Sequence, residues 1–107
     1  MNYQIHITSI VQNDINEAKN YIDNILKNKI AADKLLDEIS NKISSLEIDP
    51  YRHNLENDIH LNSLKIRMIL INNYYAFYKI DETNKIVYIV RILYRKRNWQ
   101  EILSNVD

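Results

Sequence analysis

Arginine and tyrosine side chains recur in the second half of the chain, within or directly after segments whose alternation predicts β-strands. The residues concerned are Arg67, Tyr78, Arg91, Tyr94, Arg95 and Arg97. Guanidinium groups bind phosphate oxygens well, so these residues are candidates for RNA cleavage by the 2′-hydroxyl, with arginines stabilising the phosphorane. A tyrosine would then transfer the proton, which requires adjacent arginines to lower its pKa from about 10.

The same cations could instead pair with an acidic segment of a partner protein. A protein-docking site needs an arginine-rich rim for charge complementarity, but it needs no proton-transfer group. We favour this second use. If the chain is an enzyme, we expect a metal-independent endoribonuclease, because the basic region has no carboxylate–histidine cluster. No cofactor and no metal are predicted.

Three alternating segments position these residues. They cover Leu64–Ile71, Tyr74–Ile80 and Ile86–Tyr94, and their β-branched and aromatic residues predict strands. Asn72-Asn73 predicts a two-residue hairpin turn, because asparagine tolerates positive φ. With the polar residues 81–85 as the second connection, the sequence predicts a three-stranded antiparallel meander.

Alternation also assigns each residue of the meander to a face. The two-residue turn places Arg67 opposite Tyr78. The even positions of the third strand carry no charge, so we predict that they point inward, which requires Lys79 to pair with Ile86. The inward face then includes Ile66, Met68, Phe77 and Val90. The open face presents apolar residues beside arginines, which is typical of an interface. The predicted partner-binding residues are Ile69, Ala76, Ile89, Leu93, Arg95 and Arg97.

The first half of the chain predicts a scaffold for this sheet. Residues 3–9 alternate and predict an N-terminal strand joined to the meander. Asp14 and Glu17 resemble a capping box, which predicts a helix from there to about residue 28. A second apolar stripe runs from Ala31 until Pro50 ends it, and the short connection predicts an antiparallel helix pair.

The remaining segments are a long polar connection and a short tail. Residues 47–63 contain His53 and His60, which could act as a base or an acid near neutral pH, but nothing places them near the arginines. Asn98 with Glu101 predicts a short C-terminal helix whose Trp99 caps the core or covers the apolar part of the open face. The predicted fold class is therefore α+β: an N-terminal strand and an antiparallel helix pair packed on a β-meander, with a short C-terminal helix.

Composition excludes several classes of protein. The 107 residues suit a single domain spanning 1–107. The chain has no cysteine and no glycine, which excludes disulfide frameworks, P-loops and dinucleotide fingerprints. No secretory signal or membrane span is recognisable, so we expect a cytoplasmic protein that does not bind membranes.

Formal charge is zero but uneven. Residues 1–58 hold 6 Lys and Arg against 10 Asp and Glu, whereas residues 59–107 hold 8 against 4. Overall neutrality argues against a nonspecific nucleic-acid binder, and the local excess permits one anionic site in the second half.

The ordered segments resemble the RelE/ParE superfamily of toxins from type II toxin–antitoxin modules, in its ParE-like, plasmid-stabilisation branch. They are DINEAKNYI, AADKLLDEISNKISSLEIDP, Arg67, NNYYAFYKID and IVYIVRILYRKRNWQEIL, and they cover nearly the whole chain. The resemblance implies helices on one face of the sheet, a concave working face on the other, and a cognate antitoxin encoded alongside.

The superfamily has two activities: RelE-like members cut mRNA on the ribosome and ParE-like members poison DNA gyrase. RelE-like nucleases carry an arginine where this chain has Tyr75, and a tyrosine or histidine near the C-terminus that QEILSNVD lacks. Tyr94 stands where many ParE-like relatives have histidine, while Arg95 and Arg97 match the shared basic cluster. The resemblance therefore implies a growth-inhibiting toxin and favours gyrase as the target. A ribosome-dependent mRNA endoribonuclease and an inactive interaction module are the alternatives.

Overall fold

The predicted meander is present as three neighbouring strands of a four-stranded mixed sheet. In the computed structural model, which describes residues 2–53 and 62–104, the sheet order is β1-β4-β3-β2. The strands are β1 Gln4–Ile7, β2 Arg67–Ile71, β3 Tyr74–Asp81 and β4 Ile86–Tyr94. The helices are α1 Ser9–Asn20, a π-helical turn Tyr21–Ile25, α2 Lys29–Ser45, a 3-10 turn Pro50–Arg52 and a C-terminal helix Trp99–Leu103. The predicted α+β class is confirmed.

The hairpin between β2 and β3 has the predicted geometry. Asn72 has a φ of 57°, and the turn places Ile71 opposite Tyr74 and Arg67 opposite Tyr78. Strand β2 begins later than predicted, at Arg67. Lys65 has a φ of 62°, so the extended backbone does not reach back to Leu64.

The hairpin between β3 and β4 has a different register from the predicted one. Lys79 pairs with Tyr88, and Ile86 pairs with Asp81. The turn is shorter because the Asp81 carboxylate accepts hydrogen bonds from the backbone and side chain of Asn84, and because Lys85 adopts a φ of 57°. A β-bulge follows, since Phe77 pairs with Arg91 while Tyr78 pairs with Ile89.

The predicted assignment of faces is wrong, because the long helices pack on the face that was predicted to be open. The two-residue change of register leaves side chains on their faces, whereas the bulge exchanges the faces of the β4 residues that follow it. The main core lies between the sheet and the two long helices, and it contains residues that were predicted to be exposed. From the sheet these are Ile69, Ile71, Ala76, Tyr78, Val87, Ile89 and Ile92. Because Ile69, Ala76 and Ile89 are at most 3% exposed, they offer no surface to a partner.

A second apolar cluster occupies the opposite face of the sheet. Its buried members are Ile66, Phe77, Leu93 and Leu103. Met68, Val90 and Trp99 pack against it, so the residues predicted to face the long helices instead lie under the C-terminal helix. The predicted partner-binding residue Leu93 is 1% exposed in this cluster. Trp99 covers this cluster, which contains Leu93 of the predicted open face together with Ile66 and Phe77 of the predicted inward face.

The helix pair forms as predicted, with different ends. Thr8 caps α1 by accepting a hydrogen bond from the backbone of Val11 at 3.3 Å, so Asp14 lies inside the helix and the predicted capping box is wrong. Lys27 turns the chain with a φ of 54°, and the Asn28 side chain then caps α2 through Ala31 at 3.0 Å. In the described ranges, no helix has the length and hydropathy that a membrane span requires.

Strand β1 joins the sheet at its edge, which confirms the predicted N-terminal strand. It runs parallel to β4, with Gln4 opposite Ile86 and Ile7 opposite Ile89.

A buried ion pair connects α1 to β4 next to the bulge. Arg91 donates through Nε and Nη2 to the two oxygens of Asp14, each at 2.8 Å, and the backbone N–H of Ile92 donates to Asp14 Oδ2 at 3.0 Å. The Asp14 side chain is 4% exposed and that of Arg91 is 23% exposed. These hydrogen bonds raise the pKa of Arg91, so the guanidinium stays charged and occupied.

Replacing Asp14 with asparagine should lower the free energy of unfolding by about 2 to 4 kcal/mol, because Arg91 loses a buried counter-charge. Chemical denaturation at pH 7 measures this loss. The matched control is Asp33→Asn, which breaks an exposed pair with Lys29 at 3.7 Å and should change stability by less than about 0.5 kcal/mol. Similar losses in the two variants would show that the Asp14 pair is not a structural connection.

Two leucines test the observed faces. Leu93→Ala should lower the free energy of unfolding by about 2 to 5 kcal/mol, because it leaves a cavity under the C-terminal helix. Leu70, which is 49% exposed, is the control, and Leu70→Ala should cost less than about 1 kcal/mol. A larger loss for Leu70→Ala would favour the predicted faces over the observed ones.

Candidate functional site

The six predicted catalytic residues lie in three separate places. Arg67 and Tyr78 pair where β2 begins. Tyr94 ends β4 at the other end of the sheet, beside the hairpin of β2 and β3, and Arg95 and Arg97 come directly after it. Tyr78 lies four positions from Tyr74 along β3, which corresponds to roughly 13 Å. The sixth residue, Arg91, lies between these ends against α1. The fold therefore does not assemble the predicted set into one site.

Arg67 is held by aromatic and backbone contacts. Its Nη1 donates to the carbonyl oxygen of His53 at 2.6 Å, and its guanidinium lies over the Tyr51 ring, 5.0 Å from the centroid. The Tyr51 hydroxyl donates to Glu82 at 2.9 Å, and so does the Tyr3 hydroxyl at 2.8 Å. These contacts tie the 3-10 turn to the turn between β3 and β4.

Tyr78 is buried beneath the same turn and donates to the carbonyl oxygen of Pro50 at 2.7 Å. Burial raises its pKa to about 12, although the charges of Arg67 and Arg52 act in the opposite direction. A proton-transferring tyrosine needs a lowered pKa, so the environment of Tyr78 does not suit that role.

His53 is brought beside the arginines, a contact that the sequence did not predict. Arg52 Nε donates to His53 Nε2 at 3.1 Å, and the His53 ring lies edge-on to Tyr78 at 6.5 Å between centroids. Burial, followed by the charges of Arg52 and Lys42, lowers the pKa of His53, so it is neutral at pH 7. His60 lies outside the described residues. The adjacent Arg52-His53 was the available signal, but residue spacing could not relate it to Arg67.

The basic cluster, defined as Arg95, Lys96 and Arg97, is exposed. Its backbone is fixed by two hydrogen bonds, from Arg95 N to Asn73 O at 2.8 Å and from Arg97 N to Tyr94 O at 3.0 Å. The side chains are therefore presented from a rigid turn at the end of β4. This arrangement can bind anionic groups by charge.

Tyrosine rings surround a cavity beside the basic cluster. Tyr74 and Tyr94 contact each other edge-on at 5.7 Å between centroids. We call residues 21–26, the π-helical turn and the residue after it, the helical arm. With Tyr21 and Leu26 of this arm and the turn residue Asn73, the two tyrosines line a cavity of about 420 Å³. Sequence reasoning missed this grouping, because Tyr21 lies far from the other two along the chain.

Tyr75, where RelE-like nucleases were expected to have arginine, has a packing role. Its ring lies 5.9 Å from Phe77 and 6.1 Å from Trp99 between centroids. It thus belongs to the apolar cluster under the C-terminal helix, and it supplies no charge there.

The fold is similar to toxins and toxin–antitoxin assemblies of known structure. A chain of the chromosomal ParDE system from P. aeruginosa matches with a TM-score of 0.69 and 14% identity over 86% of this chain and 95% of that one. A double arginine-to-alanine mutant of the E. coli toxin RelE in the free state matches with a TM-score of 0.67 and 9% identity over 100% of both chains. The RelBE2 toxin–antitoxin complex from Mycobacterium tuberculosis matches with a TM-score of 0.59 and 16% identity, over 89% of this chain and 100% of that one.

These similarities define the fold class as that of RelE/ParE toxins. A comparison with curated proteins finds no significant match. The family model of the ParE toxin of the type II toxin–antitoxin system parDE matches residues 5–99, and the chain therefore belongs to the ParE toxin family. The predicted membership of the RelE/ParE superfamily is confirmed.

The raised pKa of Tyr78 predicts a pH dependence of stability. Because the folded chain holds this proton more tightly than the unfolded chain, the contribution is complete below pH 10 and is lost as pH rises from 10 to about 12. Tyr78→Phe should destabilise the protein by about 1 to 2 kcal/mol at pH 8, and this difference should narrow at pH 11. Tyr88→Phe, on the opposite face, is the control. A difference that stays constant with pH would contradict the burial of the Tyr78 proton.

Proposed function

We propose that this ParE-family chain is a growth-inhibiting toxin that acts in the cytoplasm on DNA gyrase and is neutralised by a cognate antitoxin. The observation that carries the proposal is the separation of Arg67 and Tyr78 from Tyr94, Arg95 and Arg97. RNA cleavage requires a base, an acid and cations around one phosphate. Contact with a protein target requires only a fixed charged surface.

Two of the candidate residues are also occupied in ways that oppose catalysis. The Arg91 guanidinium is bound to Asp14, and the Tyr78 hydroxyl is bound to Pro50 with a pKa of about 12. Loss of one key stabilising group costs about 3 to 4 kcal/mol in an oxyanion site. The exposed basic cluster carries no such defect as a docking surface, which supports gyrase inhibition.

One observation favours mRNA cleavage as the second candidate. His53 is neutral at pH 7 and lies beside Arg52, while its carbonyl oxygen binds Arg67. A neutral histidine near two cations has the elements of a base and a phosphate clamp. However, His53 Nε2 already accepts a hydrogen bond from Arg52, so this arrangement would have to open to act as a base.

An antitoxin partner is supported by the family and by its structural neighbours. The similar structures include a chromosomal ParDE system and RelBE2 and RelE–RelB complexes. We propose that Arg95 and Arg97 are the partner-binding residues of this chain. They are exposed, unlike the four apolar residues that the sequence assigned to the same surface.

Two parallel assays with purified toxin distinguish the targets. In one, the toxin is added to gyrase with relaxed plasmid, and supercoiling is scored. In the other, it is added to translating ribosomes with a defined mRNA, and cleavage positions are mapped. We expect the toxin to inhibit supercoiling. Arg95→Ala and Arg97→Ala should each lower its inhibitory potency at least tenfold. Lys42→Ala removes an exposed cation from α2, and it should leave the potency unchanged.

Codon-positioned mRNA cleavage that is lost in His53→Ala would overturn the proposal in favour of the RelE-like activity. No response in either assay from toxin that is folded by circular dichroism would favour an inactive interaction module. Growth arrest on expression without antitoxin would support gyrase inhibition or mRNA cleavage over the inactive interaction module.

A further inference from the structure

A groove runs between the helical arm and the end of the sheet that carries the basic cluster. It consists of the 420 Å³ cavity and an adjoining one of about 150 Å³. Tyr74 and Tyr94 line both cavities, so the two cavities adjoin at these residues. Tyr21 and Leu26 line one end, and Arg97 lines the other.

The π-helical turn shapes the apolar end of this groove. Leu26 N donates to Tyr21 O at 3.1 Å, a hydrogen bond five residues back along the chain. The wider turn departs from α-helical spacing, as short π-helical segments often do at functional sites. Tyr21 is 51% exposed, Ile25 67%, Leu26 55% and Tyr94 41%. These exposed apolar side chains contribute little to the core, so they are available to a partner.

The opposite end of the groove is positively charged. Arg95, Lys96 and Arg97 are exposed, and no carboxylate in residues 2–53 or 62–104 forms a salt bridge with them. Asp14 and Glu17 also line the smaller cavity, but Asp14 is neutralised by Arg91. Arg97 therefore lines this end together with the exposed Glu17, and Arg95 and Lys96 of the basic cluster add two further cations on the same turn.

We propose that this groove binds an acidic segment of the antitoxin, which inserts one aromatic or large aliphatic side chain between Tyr21, Tyr74 and Tyr94 and pairs its carboxylates with the basic cluster. The proposal rests on the proposed function, because it takes the antitoxin as the partner. Tyrosine and arginine are the residues enriched at the centres of protein interfaces. The aliphatic side chains of Ile22 and Leu26, which line the groove, match an apolar side chain and offer nothing to a sugar–phosphate chain, so the groove favours protein over nucleic acid.

The test uses synthetic peptides as probes of the full-length toxin. A fluorescein-labelled 15-residue peptide with one central phenylalanine among glutamates is compared with a peptide whose phenylalanine is replaced by alanine, and with one whose glutamates are replaced by glutamines. Fluorescence polarisation should show that the first peptide binds at least tenfold more tightly than either of the others. A labelled 15-nucleotide oligo-dT is measured alongside.

Matched variants locate the binding. Tyr21→Ala, Tyr94→Ala and Arg97→Ala should each weaken the first peptide at least fivefold, whereas Tyr88→Ala and Lys42→Ala, which remove an exposed ring and an exposed cation elsewhere, should not. Circular dichroism confirms that each variant is folded. An equal change in peptide affinity for all five substitutions would overturn the proposal. The proposal would also be overturned if the groove variants weakened the binding of oligo-dT but not that of the peptide.

The gyrase and ribosome assays keep this test separate from the proposed function. If gyrase is inhibited but the peptide ignores the groove variants, the groove assignment alone is wrong. If the peptide shows the expected pattern and gyrase is unaffected, the choice of target is wrong and the groove assignment stands.

Discussion

The buried pair of Asp14 and Arg91 is the contact on which the arrangement of helices and sheet depends. Asp14 is the one buried charged residue in the part of the chain that the structure describes, and its oxygens accept three hydrogen bonds from β4. A carboxylate withdrawn from water in this way is stable only if its partners remain in place. The pair therefore holds α1 against β4 directly after the bulge, where Ile92 points to one core and Leu93 to the other.

Local sequence patterns were sufficient to predict the elements of the fold. Alternation identified the meander, the asparagine pair identified its first turn, and the apolar stripes identified the helix pair. The assignment of faces failed because it treated the charge of Arg91 as a sign of exposure. Its partner Asp14 lies 77 residues away, and the same carboxylate had been interpreted as part of a helix cap. A bulge gives no signal in the alternation of a single strand, so the pairing of residues 91–94 of β4 with residues 74–77 of β3 could not be predicted.

The candidate site was predictable only where local geometry determines it. The pairing of Arg67 with Tyr78 follows from a two-residue turn and was predicted. The contacts of Arg67 with Tyr51 and His53 join a strand to the long polar connection before it, and residue spacing does not predict such contacts. The tyrosine groove likewise joins residues of the helical arm to residues of the sheet. The sequence predicted arginines and tyrosines on one surface, whereas the fold places these residues at two ends of the sheet.

A chain without glycine must turn with other residues, and this one uses Lys27, Lys65 and Lys85 at positive φ as well as Asn72. The left-handed conformation costs a residue with a long side chain about 1 kcal/mol. Three such lysines together destabilise the folded state by roughly 3 kcal/mol. A typical domain is stable by roughly 5 to 15 kcal/mol, so this cost is substantial. These lysines are therefore positions where the backbone conformation opposes the stability that packing supplies. Single substitutions far from either end of the sheet can therefore change how much folded toxin a cell accumulates, and with it the balance against the antitoxin.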